Sequence, residues 1–101
     1  MRSEEKAMLL KRMVENLPIL RSKLNITQEQ LAELLDVSRQ TISSIENGQR
    51  KLPWSVFLAL ILIFFRNEPT KHLLVALDIY TPALNDYLSI CLLYTSQSPR
   101  D

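Results

Sequence analysis

Apolar positions along the chain fall into short runs at helical spacing, separated by proline and small polar residues. Ser3 offers a cap to a first helix, with Glu4 and Glu5 in its first turn, where acids suit the positive end of the helix dipole. Asn16 and Pro18 are expected to end that helix near Glu15, because proline has no amide hydrogen to donate. A second short helix then carries Leu17, Leu20 and Leu24 on one face, with Asn25 as a left-handed stop. Thr27 and Gln30 form a capping box, and Leu31, Leu34 and Leu35 make the apolar stripe that follows. Ser38 caps the next helix, which turns Ile42 and Ile45 inward and ends at Asn47-Gly48. Pro53 and Trp54 open an apolar helix to about Phe65. Thr70 to Leu77 reads as another helix, and Thr81-Pro82 begins a last one to about Leu93.

No stretch alternates apolar and polar residues between hairpin turns, and Gly48 is the single glycine. The pattern predicts an all-α fold of five to six short helices. It divides the chain into an N-terminal helix (1–16), a central domain (17–66), a helical extension packed on that domain (67–94) and a tail (95–101) expected to be disordered.

The densest apolar run is VFLALILIFF, Val56 to Phe65. A membrane-spanning helix needs about 20 such residues. Arg66 closes this run, and Ser55, Pro53, Lys51 and Arg50 precede it, so a buried helix or an interface is expected and a membrane span is not. Trp54, Phe57, Phe64 and Phe65 are read as core side chains at helical spacing.

Net charge is +1 and does not by itself announce a nucleic-acid partner. Its distribution is uneven: residues 1–51 hold 9 Lys/Arg against 7 Asp/Glu, and residues 52–101 hold 3 against 4. Cys91 stands alone, so no intramolecular disulfide can form, and the N-terminus lacks the apolar stretch of a secretion signal; a cytoplasmic protein is expected. His72 and Cys91 are single residues of their kind, too few for a metal site. Asp78 and Asp86 lack a matched acid or base, and one glycine leaves no phosphate-cradling loop. Neither an enzyme nor a cofactor is indicated.

The chemistry concentrates in ITQEQLAELLDVSRQTISSIENG, Ile26 to Gly48. Two short capped helices flank Leu35-Asp36-Val37, and small Ala32 sits where they must approach closely. This is the shape of a helix-turn-helix, whose second helix enters the major groove of DNA. On that helix, Ser38 to Glu46, the side chains of Arg39, Gln40, Ser43 and Ser44 lie opposite Ile42 and Ile45. Arginine pairs in a bidentate way with guanine and glutamine with adenine, each discriminating by about 1–3 kcal/mol. The two serines are short and permissive.

LRSKLNITQEQLAELLDVSRQTISSIENGQRKLP is similar to the phage repressor and Cro (Xre-like) helix-turn-helix family. The matching pieces are Leu20-Arg21, Thr27-Gln28, Leu31-Ala32, Val37-Ser38, Ile42 and Ile45-Glu46-Asn47-Gly48, and the likeness spans about Leu17 to Phe65. The resemblance implies a bacterial or phage transcriptional regulator, most simply a repressor, whose partner is double-stranded DNA. It implies that Gln28 joins the base-facing set, touching the DNA backbone and bracing Arg39. It implies a phosphate-contacting group of Asn47, Gln49, Arg50 and Lys51, which Thr41 can join; Lys23 and the Lys11-Arg12 pair are further basic candidates. Arg21 and Glu46 match a structural ion pair. One position departs from the family: Asp36 stands in the turn where a left-handed glycine is preferred, at a cost of about 1 kcal/mol.

The extension is rich in apolar residues, among them Leu73, Leu74, Ala76, Leu77, Ile79, Tyr80, Leu84, Tyr87, Leu88, Ile90, Leu92 and Leu93. They are expected to pack on the VFLALILIFF helix, and the surplus suggests a homodimer. The alternative reading is an antitoxin or adaptor whose main partner is a protein held by these C-terminal helices.

Overall fold

The computed structural model describes residues 1–89, which form six helices: α1 (Ser3–Leu24), α2 (Gln28–Leu35), α3 (Arg39–Glu46), α4 (Trp54–Arg66), α5 (Glu68–Ala76) and α6 (Pro82–Leu88). No strand occurs among the described residues. The part of the last helix expected beyond Ser89, and the tail 95–101, lie outside them.

Helix α1 is one continuous helix of 22 residues, so the break expected at Asn16-Pro18 is absent. An interior proline costs roughly 3 kcal/mol. Against this stand Leu9, Met13, Leu17 and Leu20, none more than 3% exposed. Burial of each such side chain contributes about 1.5–3 kcal/mol. Only a helix that runs through Pro18 turns all four toward one core, so packing outweighs the lost bond. The boundary expected between residues 16 and 17 therefore falls inside α1. Its N-cap is Arg2 rather than Ser3, because the Glu5 carboxylate reaches back to accept from the Arg2 amide at 3.0 Å.

Four helices end in the same way. Asn25, Asp36, Gly48 and Asp78 have φ of 61°, 59°, 82° and 57°. At each, the amide of the left-handed residue bonds back three residues and the next amide bonds back five: Asn25 to Ser22 and Ile26 to Arg21, Asp36 to Glu33 and Val37 to Ala32, Gly48 to Ile45 and Gln49 to Ser44, Asp78 to Val75 and Ile79 to Leu74. This double bond to the last turn is the Schellman motif, which satisfies carbonyls that the helix leaves open. In a chain with one glycine, Asn or Asp takes the left-handed place three times, and each time Ile26, Val37 or Ile79 follows and packs on the core. A short polar residue that tolerates positive φ, followed by a β-branched apolar one, is this chain's helix stop.

Helix α4 buries Phe57, Leu60, Ile61 and Phe64, spaced as one helical face, while Leu62 on the other side is 65% exposed. Among the described residues no helix is long and apolar enough to cross a membrane. Helix α5 starts at Glu68, earlier than Thr70. Thr70 instead joins the two helices. Its buried hydroxyl donates to the Phe64 carbonyl, and the Asn67 side-chain amide donates to the Ile63 carbonyl at 2.8 Å. Together they close the C-terminus of α4 and turn the chain into α5. Leu74, Ile79 and Leu84 bring the extension into the same core as α1 and α4, whereas Ala76 and Leu88 are exposed.

Candidate nucleic-acid interface

Helices α2 and α3 are short, eight residues each, and both are held by side-chain caps. The Thr27 hydroxyl accepts from the Gln30 amide at 3.1 Å, and the Gln30 side chain accepts from the Thr27 amide at 2.9 Å. The Ser38 hydroxyl accepts from the Thr41 amide at 3.1 Å and lies 2.9 Å from the Thr41 hydroxyl. Inward, Leu31, Ala32, Ile42 and Ile45 are buried and lock the pair together. Leu34, expected in the α2 stripe, is instead 61% exposed, because Leu31 and Ala32 take the inner face.

The outer face of α3 presents Arg39 and Gln40 to solvent, while Ser43, Ser44 and Thr41 are half-buried. Asn47, Gln49, Arg50 and Lys51 are exposed in the loop that follows, where the Asn47 side-chain oxygen accepts from the Gln49 amide at 3.2 Å.

One polar chain ties this surface to the scaffold. Arg21 on α1 donates through Nε to Glu46 Oε2 at 2.7 Å and through a terminal nitrogen to Glu46 Oε1 at 3.1 Å. Its other terminal nitrogen reaches the Ile26 carbonyl at 3.2 Å. The pair is largely buried, with side chains 17% and 8% exposed, so the two-pronged geometry matters more than for a surface pair. Gln28 Nε2 also donates to Glu46 Oε1, at 2.9 Å, and Arg39 donates to Gln28 Oε1 at 3.3 Å. The bond between Gln28 and Glu46 is not readable from sequence, since it joins residues on different helices. The one available signal is that a carboxylate already paired with arginine still has lone pairs for another donor.

This network has an electrostatic result. Glu46 is the only acid between Val37 and Asn67, and it is turned inward and neutralised by Arg21. The exposed charges of α3 and its following loop are therefore Arg39, Arg50 and Lys51, with no carboxylate among them to repel phosphate.

The described basic residues of α1 do not act together. Arg12 donates to the Asp78 carbonyl at 2.9 Å and lies against Met8, so it binds α1 to the end of α5. Lys11 is exposed and also borders the groove between α1 and the loop after α3, and Lys23 is exposed near the α1 C-terminus. His72 is exposed beside Glu68, at 3.2 Å.

Two capped helices, joined by a tight left-handed turn and backed by a helical core, define a DNA-binding helix-turn-helix of the repressor-like all-α class. The helix-turn-helix family model matches residues 19–62, from the last turns of α1 through most of α4. Over these residues the chain is similar to the Cro/C1, Xre-like type of that family, and the match supports a DNA-binding transcription regulator in general. No curated protein and no solved structure matches the chain.

Proposed function

We propose that the protein is a sequence-specific repressor that occupies operator DNA as a homodimer in the cytoplasm. It reads the major groove with the helix Ser38–Glu46. The observation that carries this reading is the bond from Arg39 to Gln28, with Gln28 itself fixed on Glu46. A guanidinium held before DNA arrives loses less freedom on binding, and so reads a guanine edge at smaller entropic cost. Arg39 and Gln40 are the principal base readers. Gln28, Ser43 and Ser44 complete the base-facing surface, with the half-buried serines making the shorter contacts. Thr41, Asn47, Gln49, Arg50 and Lys51 face the phosphates, which set register and affinity without reading sequence. Arg21 and Glu46 brace the helix from behind.

The homodimer is supported by an apolar groove on the far side of the core, where Leu58, Leu62, Phe65, Tyr80 and Leu88 come together. Two-fold pairing places recognition helices about one DNA turn apart, so the operator is expected to be palindromic.

Enrichment of a randomised duplex pool tests the reading. Wild type is expected to select a palindromic motif, and the double variant Arg39→Ala/Gln40→Ala to lose it while remaining folded. A folded wild-type protein that selects nothing would sink the proposal and favour a protein partner for the C-terminal helices.

A further inference from the structure

The N-terminal half of α1 lies before the segment that the helix-turn-helix family model covers. Its basic residues have separate fates. Arg2 sits 3.7 Å from Glu4. Lys6 rests over the rings of Trp54 and Tyr87, at 5.0 and 5.5 Å from their centroids. Arg12 is bound to the Asp78 carbonyl at 2.9 Å. Lys11 alone borders the groove that runs between α1 and the loop after α3, a groove whose walls include Leu10 and Val14 and whose rim also carries Arg50, Lys51 and Glu15.

Lys11 therefore shares one surface with the two cations that follow the recognition helix. Its single partner is Glu15, at 3.8 Å, with side chains 74% and 57% exposed. An exposed pair four residues apart on a helix is weak, because solvent screens both charges, so it does not hold the ammonium against a stronger anion. A duplex backbone is such an anion, with one charge about every 1.7 Å of axis.

We propose that Lys11 is an additional phosphate contact, which extends the DNA-binding surface from the α3–α4 loop onto the N-terminal half of α1, and that Glu15 weakens this contact. The inference rests on the proposed operator binding. It assigns opposite signs to two residues one helical turn apart. Lys11 draws the backbone in and Glu15 pushes it away, so the N-terminal half of α1 sets the strength of binding but not its sequence preference.

The test is the salt dependence of binding, measured with the intact protein on the duplex that wild type selects and on an unrelated duplex. The variants are Lys11→Met, which keeps the apolar stem, Lys11→Arg and Glu15→Gln; both positions are exposed, and melting curves check the fold. Lys11→Met is expected to weaken binding to both duplexes by the same factor and to reduce the slope of log K against log salt by about one. Lys11→Arg is expected to keep the wild-type slope, and Glu15→Gln to tighten binding to both duplexes. A wild-type slope in Lys11→Met, with wild type binding normally, overturns the inference and leaves operator binding intact. Absence of any DNA binding by wild type overturns operator binding itself, and the role of Lys11 with it.

Discussion

Gln28 donates to Glu46 across 2.9 Å, and this one bond decides which way the Gln28 amide faces. An ionised carboxylate only accepts, so the NH2 group must lie toward Glu46 and the oxygen must lie away from it. The oxygen is thereby presented to Arg39, whose guanidinium donates to it at 3.3 Å. Orientation passes from a largely buried ion pair to the exposed guanidinium of Arg39 in two steps.

Gln28→Ala is expected to loosen Arg39 without unfolding the protein. Discrimination at the base pair Arg39 reads should fall by up to about 1–3 kcal/mol, while the melting temperature changes little. Relative affinities for operators altered at single positions check this. A uniform loss at every position would instead show that Gln28 serves only as a phosphate contact.

Glu46→Ala strands Arg21, which has few other partners in its partly buried place. Loss of one member of a buried pair costs roughly 3–5 kcal/mol, and the 17% exposure of Arg21 places the expected value near the lower end. Urea denaturation measures it. A change under about 1 kcal/mol, the range of an exposed pair, would show that water replaces the carboxylate freely.

Asp36 and Asn25 hold the left-handed helix stops at φ 59° and 61°. Glycine has no Cβ to strain there, so Asp36→Gly and Asn25→Gly are each expected to stabilise by about 1 kcal/mol. For a domain of this size that corresponds to a rise in Tm of roughly 4–8 °C. A fall in Tm for either would mean that the side chain contributes more to its turn than the backbone strain removes.

Thr70→Val keeps the volume but removes the hydroxyl that donates to the Phe64 carbonyl. A buried acceptor left without a donor costs about 1–3 kcal/mol. Thr70→Ser is expected to recover most of the loss, as read by thermal unfolding; equal destabilisation by both would point to the methyl group instead.

Leu62 is an apolar side chain left 65% exposed on α4. Leu62→Asp is expected to leave the fold intact and shift sedimentation from dimer to monomer. A wild-type protein that already sediments as a monomer at high concentration, with and without DNA, contradicts the dimer.

Much of the fold is legible in the sequence, and the reasons differ by residue. Thr27, Ser38 and Thr81 announce helix starts because a cap is a local event, settled by residues three apart. Asp36 announces a turn because few side chains tolerate positive φ. Pro18 misleads because its local penalty is visible in sequence, while the buried row Leu9, Met13, Leu17 and Leu20 that overrides it is a tertiary matter. Leu34 misleads for a similar reason: helical spacing permits two inner faces on so short a helix, and contact with α3 and α4 selects the one through Leu31 and Ala32. At the interface, the types of residue on α3 are readable, but the bond that links Gln28 to Glu46 needs the packing of α2 against α3.

The continuity of α1 through Pro18 has a mechanical meaning. At 22 residues, and about 1.5 Å per residue, it is a beam roughly 33 Å long. Its N-terminal half is fastened to the C-terminal extension by Lys6 over the Tyr87 ring and by Arg12 on the Asp78 carbonyl. The other end carries Arg21, and through it Glu46 of the recognition helix. No chain break separates these two attachments, so a single unbroken helix carries both the contacts to the C-terminal extension and the ion pair behind the second helix of the motif.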